Sequence, residues 1–352
     1  MRGTIGHGVF ILLWIACGDS AEETELPFAP EDQEPFHYVS EHISPEAQAY
    51  QKEAVALAAP VLTTFEDWEK YRAYWGEELD AIAKDRQKRL GYRLRADRVG
   101  GVPVFWVTPK SFEPRNEKYL LIYIHGGGYT VTNAQQNAWM AAEVATQLKL
   151  RAVAIDFRNA PENPHPDALD DTLAVYAALL EDYAAENLFV MGDSAGGGLS
   201  LATVLRIRDE KLPTPAALAL LSPWADINKS GDSYYVHEGV DAYVFYDSNL
   251  RQDAGVYVGD HDPKHPYISP VYADYTAGFP ATLLICGTRD LFLSNCARMQ
   301  EALLLARQPV ELIVLEGMDH GLGMVPRLPD GDKTFRFAAE FFERRLEKAH
   351  HE

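Results

Sequence analysis

A serine set among small residues, Gly192-Asp193-Ser194-Ala195-Gly196-Gly197-Gly198, is the first group in this chain whose surroundings suggest reactivity. The apolar run 188–191 precedes it and a helical stretch follows, so Ser194 falls at a strand-to-helix corner. Such a corner needs small neighbours, which Gly192, Ala195 and Gly196 supply, and it pushes the hydroxyl into the open. A hydroxyl attacks poorly at neutral pH unless a base takes its proton and an acid orients the base. Downstream, His320 stands in Glu316-Gly317-Met318-Asp319-His320-Gly321, where flanking glycines let the ring turn back over a sheet. Asp290 ends Cys286-Gly287-Thr288-Arg289-Asp290. Asp319 is a rival acid, but as the histidine's neighbour in sequence it reaches the far ring nitrogen with difficulty, so Asp290 is preferred. A further motif is His125-Gly126-Gly127-Gly128-Tyr129. Consecutive glycines bring backbone N–H donors close to a substrate and aim them at a developing oxyanion. Neither Gly-x-Gly-x-x-Gly nor Gly-x-x-x-x-Gly-Lys accompanies it, which argues against a phosphate cradle. The chemistry expected is nucleophilic catalysis by serine, with no metal or cofactor required.

These groups lie far apart along the chain, and the pattern between them predicts how they converge. Beyond Tyr92, short apolar runs alternate with helical stretches, at 102–107, 120–124, 152–156, 188–191, 217–221, 282–286 and 310–315. Runs this rich in Val, Ile, Leu and Ala suit strands buried on both faces, and the alternation predicts βαβ units in a mostly parallel sheet. Ligands bind at the carboxyl ends of such strands, and each candidate group follows one of the runs. From Ser44 to Leu90 the pattern is helical, with Thr64 and Asp67 spaced as a capping box. Phe65, Trp68, Tyr71 and Trp75 recur at spacings of three and four, a stripe that reads as a packed face. An insertion at about 225–265 is rich in aromatics (Tyr234, Tyr235, Tyr243, Phe245, Tyr246, Tyr257). Together with the helices of 44–91 it is expected to form a cap that shapes the acyl pocket and excludes water.

The Gly-x-Ser-x-Gly elbow, the His-Gly-Gly-Gly motif and the chain order Ser194, Asp290, His320 together resemble the hormone-sensitive-lipase-like branch of α/β-hydrolases, a family of bacterial carboxylesterases. The likeness covers residues 92–348. Asp156-Phe157-Arg158-Asn159-Ala160-Pro161-Glu162 is similar to that family's Asp-Tyr-Arg-Leu-Ala-Pro-Glu, with Phe157 and Asn159 as departures. Leu221-Ser222-Pro223-Trp224, Ile268-Ser269-Pro270 and Gly287-Thr288-Arg289-Asp290 are similar to other family segments. The resemblance implies an α/β-hydrolase fold, with a mostly parallel central sheet, helices on both faces and a helical cap. It implies Ser194 as nucleophile, His320 as base, Asp290 as its partner, and an oxyanion hole from the N–H groups of Gly127, Gly128 and Ala195. It also implies cleavage of carboxylic esters of short to medium acyl chains through an acyl-enzyme. Among eleven histidines only His320 combines this order with this loop context. His125, beside Gly126, reads as shaping the glycine loop, and His237, His261 and His265 as ordinary loop residues. The same triad would serve an amidase, peptidase or lactonase, and the same fold can act as a non-catalytic binder, so these alternatives stay open.

The 352 residues carry 32 Lys+Arg against 52 Asp+Glu, a net charge of −20, with 47% hydrophobic and 24% charged residues. This length fits one large α/β domain with a modest second layer of helices, and the composition excludes wholesale disorder. The acidic balance argues against nucleic acid as a partner; a small-molecule ester is the partner expected. Three cysteines, Cys17, Cys286 and Cys296, cannot staple a chain of this size, and whether the last two pair is open. Residues 9–16 form an unbroken apolar run behind Arg2, too short for the roughly 20 residues that span a membrane. The run has the pattern of a secretory signal. Ala16-Cys17 resembles the lipobox of bacterial lipoproteins, with Trp14 where leucine is usual. That likeness implies a signal over 1–17, a lipid on Cys17 and an extracytoplasmic, membrane-anchored protein. Plain secretion and a cytoplasmic chain are the alternatives. From Gly18 to Gln51 there are nine acidic residues and no Lys or Arg, so 18–43 reads as an extended, self-repelling tether. Oligomeric state is not legible.

Overall fold

The computed structural model describes residues 38–53, 60–321 and 328–351. Cys17, the apolar run and most of the acidic segment lie outside them. Two helices come first, α1 (Pro45–Glu53) and α2 (Phe65–Leu90). The capping box forms as expected: the Thr64 hydroxyl accepts from the Asp67 N–H at 3.1 Å, and Asp67 Oδ2 accepts from the Thr64 N–H at 2.8 Å. Trp68, Tyr71 and Trp75 form an edge-to-face ladder with ring spacings of 6.4 and 6.2 Å. Phe65, the first residue of α2, leaves this stripe and is 61% exposed.

The sheet is built from β1 (Arg93–Val99), β2 (Val102–Thr108), β3 (Leu120–Ile124), β4 (Arg151–Ile155), β5 (Leu188–Asp193), β6 (Ala217–Leu221), β7 (Ala281–Gly287) and β8 (Val310–Leu315). Their spatial order is β1-β2-β4-β3-β5-β6-β7-β8. Only β2 runs against the rest, antiparallel to both β1 and β4. Interleaved are α3 (Ala134–Leu148), α4 (Asp167–Leu179), α5 (Ser194–Asp209), α6 (Ser233–Val236), α7 (Arg251–Val258), α8 (Leu293–Leu305) and α9 (Pro329–His351). The apolar runs mark seven strands to within two residues at each end. They miss β1, whose sequence Arg-Leu-Arg-Ala-Asp-Arg-Val is polar and mostly exposed. An edge strand needs no apolar run, since charge there discourages further pairing.

The period of two in each strand divides the core. Leu120, Ile122 and Ile124 of β3 face a core shared with α4, α5 and α8, whereas Leu121 and Tyr123 face α3 and α9. Connections leave β3 toward β4 on one side and leave β5 toward β6 on the other. Right-handed crossovers therefore put α3 and α4 on opposite faces, and a crevice opens between the carboxyl ends of β3 and β5. The loop after β3 carries the glycine motif, and β5 ends at Ser194.

Above this crevice sit α2 and the insertion between β6 and β7, which contains α6 and α7. The two pieces are tied together: Gln252 Oε1 accepts from the Leu62 N–H at 2.7 Å, and Gln252 Nε2 donates to the Pro60 carbonyl at 3.0 Å. Arg72 of α2 donates to the Thr130 and Ala160 carbonyls, both at 2.6 Å, and pairs with Glu162. Residues near 40 already belong to the folded body rather than to a tether, since Ser40 and Ile43 are buried. Cys286 and Cys296 are both buried free thiols. Among the described residues no helix is long and apolar enough to cross a membrane.

Candidate active site

Ser194 is the first residue of α5, directly after β5, and its backbone takes a left-handed φ of 51°. That strained corner is held by close packing. A Cβ on Gly196 would overlap the carbonyl oxygens of Ile124 and His125, so the Ser194 turn and the glycine loop touch backbone to backbone. Asp193 reinforces the same seam: its Oδ1 accepts from the Tyr123 hydroxyl at 2.6 Å and from the Gly126 N–H at 3.1 Å. Burial pushes the Asp193 carboxyl up to about 6, against the pull of these two donors and of His320.

The structure brings the three distant side chains together. His320 Nε2 lies 2.9 Å from Ser194 Oγ, and His320 Nδ1 lies 3.2 Å from Asp290 Oδ1. The imidazole is 5% exposed and Asp290 is fully buried. Burial alone would lower the histidine's proton affinity. The carboxylates of Asp290, Asp241 and Asp193 outweigh it, and the net shift is upward. Asp319 turns away from the ring, taking the Tyr50 hydroxyl at 2.8 Å on one oxygen and the Gly321 N–H at 3.1 Å on the other.

Two residues that the sequence reading did not single out sit inside this constellation. Ser222, at the end of β6, hydrogen-bonds Asp290 Oδ2 and places its Oγ 2.9 Å from His320 Nδ1, so it touches both members of the pair. Its backbone φ of 45° shows that the chain strains to put it there. The signal for it was its place at the end of a buried strand, in the segment Leu221-Ser222-Pro223-Trp224. Asp241, fully buried in the insertion, accepts four backbone N–H groups, from Tyr243 and Val244 on Oδ1 and from Leu291 and His320 on Oδ2. It clasps the loops after β7 and β8, and burial together with Asp319 and Asp290 holds its carboxyl well above the usual range. No motif marked it. His237 donates from Nδ1 to the Asp290 main-chain carbonyl at 2.9 Å, which gives that loop histidine a place behind the acid.

Beside Ser194 the glycine loop turns through φ of 103° at Gly127 and 64° at Gly128. Neither N–H finds an acceptor among the described residues. Ala195 is the second residue of α5, among the N–H groups a helix leaves without an i−4 partner. His125 stacks on Phe157 at 4.2 Å, and its Nδ1 lies 2.8 Å from the Gly126 carbonyl. A small cavity at the serine is lined by Met140, Asp193, Leu221, His320 and Phe335. Among the described residues no cluster of His, Cys, Asp or Glu is arranged to hold a metal ion.

A family model described as alpha/beta hydrolase fold matches residues 121–324. An acetyl-hydrolase of Streptomyces hygroscopicus is 31% identical over 245 residues, which is 69% of this chain and 80% of that protein. Among solved structures, esterase E25 superposes with a TM-score of 0.81 at 31% identity, covering 86% of this chain and 94% of that one. A hormone-sensitive lipase from a metagenome library gives 0.74 at 29% identity, covering 86% and 96%. By its fold, its segments and these likenesses, the chain belongs to the α/β-hydrolase family, in the hormone-sensitive-lipase-like branch.

Proposed function

We propose that the protein is a carboxylic ester hydrolase in which Ser194 is the nucleophile, His320 the general base and then acid, and Asp290 the group that orients the imidazole. Ser194 Oγ attacks the ester carbonyl as its proton passes to His320 Nε2, and the carbonyl oxygen becomes an oxyanion facing the N–H groups of Gly127, Gly128 and Ala195. Collapse breaks the C–O bond to the alcohol, which leaves with the proton from Nε2. Water then attacks acyl-Ser194 while Nε2 takes its proton, and Ser194 departs with that proton as the acid is released. The 2.9 Å contact between Ser194 Oγ and His320 Nε2, with Asp290 behind the ring, carries this reading. The name acetyl-hydrolase borne by one relative and esterase borne by a structural neighbour support ester cleavage, the former at the short-chain end.

The test is turnover of p-nitrophenyl esters from acetyl to palmitoyl by purified protein, with organophosphonate labelling read by mass. Short and medium chains are expected to turn over, with Ser194→Ala losing both turnover, by about 10⁶-fold, and the label. Turnover that survives in Ser194→Ala would overturn the assignment.

For location, the proposal is a signal over 1–17 and a lipid on Cys17, supported by the apolar run and the Ala16-Cys17 junction. A Cys17→Ser variant is expected to leave the membrane fraction on cell fractionation, and unchanged fractionation would remove the anchor.

A further inference from the structure

The cavity at Ser194 has one polar group in its lining that the proposed mechanism does not use. Beside Ser194 and His320 it is walled by the buried side chains of Met140, Leu221 and Phe335, and by Thr334 of α9. Thr334 is 1% exposed, and its hydroxyl has no hydrogen-bond partner among the described residues. Of the buried side-chain polar atoms so left among those residues, it is the one whose residue lines this cavity. A hydroxyl inside a helix has an acceptor at hand in the carbonyl four residues back. Helix α5 uses it twice: Ser200 donates to Gly196 and Thr203 to Leu199, both at 2.7 Å. Thr334 makes no such bond. Valine would fill the same volume without the cost of a buried, unpaired hydroxyl, so the hydroxyl here has a use beyond the resting fold.

In the proposed tetrahedral intermediate the oxyanion faces the glycine loop, none of whose residues lines this cavity. The cavity therefore serves one of the two substituents of the ester carbon. The alcohol has to depart, while the acyl group stays bonded to Ser194 Oγ until water releases it, and a recess that adjoins Ser194 suits the half that stays. Apolar walls with one hydrogen-bonding group are the usual make-up of a small-molecule pocket. The walls take the chain, and the hydroxyl selects a chain with an oxygen to meet it.

We propose that this cavity is the acyl site, and that Thr334 selects short acyl chains carrying an ether, keto or hydroxyl oxygen to which its own hydroxyl donates. The assignment rests on the esterase reading and adds to it the class of acid preferred. The test measures kcat/KM for isosteric pairs in which an ether oxygen replaces one methylene of the acyl chain: p-nitrophenyl methoxyacetate against butanoate, and 3-methoxypropanoate against pentanoate. Each ratio is divided by that for hydrolysis by hydroxide, which removes the ether's own activation of the carbonyl. The wild type is expected to favour the ether in at least one pair by about tenfold, the worth of one buried hydrogen bond. Thr334→Ser is expected to keep that preference and Thr334→Val to lose it. A corrected ratio near one for both pairs in the wild type would overturn the proposal whatever the variants do, and a preference that survives in Thr334→Val would remove Thr334 from the role; neither result touches the esterase reading. On the alcohol side, 2-methoxyethyl acetate is compared with butyl acetate. A Thr334-dependent preference there, in place of one in the acyl pairs, would put the cavity under the leaving group and overturn the acyl assignment. If none of these esters is turned over, the esterase reading fails and this assignment fails with it.

Discussion

Three carboxylates, Asp241, Asp290 and Asp319, lie buried around one imidazole, and what each accepts divides their work. Asp290 takes the Ser222 hydroxyl, the Phe292 N–H and the ring nitrogen, so it alone addresses the histidine side chain. Asp290→Asn is expected to lower kcat by about 10⁴, as loss of an orienting acid does. Asp319→Asn disturbs only contacts to Tyr50 and Gly321 and is expected to cost far less. Steady-state kinetics on p-nitrophenyl acetate decide between them, and a crippled Asp319→Asn beside an active Asp290→Asn would exchange the roles of the two acids. Ser222→Ala removes a bond from each side of the His320–Asp290 pair, and a fall in kcat of roughly 10–100-fold with little change in KM is expected. The pH profile follows from the same charges. The base acts only when neutral, and its carboxylate neighbours favour the protonated ring, so the acid limb of kcat/KM is expected to have its midpoint above the ordinary histidine value of 6.5. A midpoint below 6.5 would show that desolvation wins instead.

The elements that carry these side chains differ in how plainly the sequence announces them. Central strands are long apolar runs because both faces are buried, so β3, β6 and β8 are read to the residue. The strand β1 is a polar edge whose hydrogen bonds come from register with β2 rather than from burial, and hydrophobicity does not find it; its Gly100-Gly101 turn was the available signal. In the site, Ser194, His320 and Asp290 were legible because glycine-rich loops after strands flag them. Ser222 and Asp241 were not, since a serine after a strand and an aspartate in an insertion become significant only once folding brings other loops to them. The tightest joint between elements is where α5 begins. Gly196→Ala puts a methyl group into the fixed carbonyls of Ile124 and His125, which cannot move as a side-chain end would. A loss of more than about 2 kcal/mol in denaturant unfolding is expected, with loss of ester turnover as the glycine loop is displaced. A near-native midpoint with full activity would mean that the joint has slack this packing does not show.

Taken as one body, the molecule ties its His320 loop to a part of the chain some three hundred residues away in sequence. The Ser44 N–H donates to Asp330 Oδ2 at 2.8 Å, and the Tyr50 hydroxyl donates to Asp319 beside the histidine. Gln51 hydrogen-bonds the Gly317 carbonyl, and Ile43 and Ala47 bury against Met318 and Leu328. Helix α1 therefore braces the loop after β8 from outside, although its own residues are weakly amphipathic and would not persist alone, as a nine-residue helix is marginal in water. The bracing contacts named here come from residues 43–51, and two truncations separate their contribution from that of the preceding segment. A chain starting at residue 38 keeps every one of these contacts and is expected to retain kcat and Tm. A chain starting at residue 54 loses the brace, leaves the buried Asp319 without its tyrosine donor, and exposes Met318 and Leu328. For that chain a lower Tm and a fall in kcat larger than any change in KM are expected, because the damage reaches the ring that moves the proton rather than the surface that binds the ester. Equal kcat and Tm for the two truncations would show that the histidine loop stands without α1.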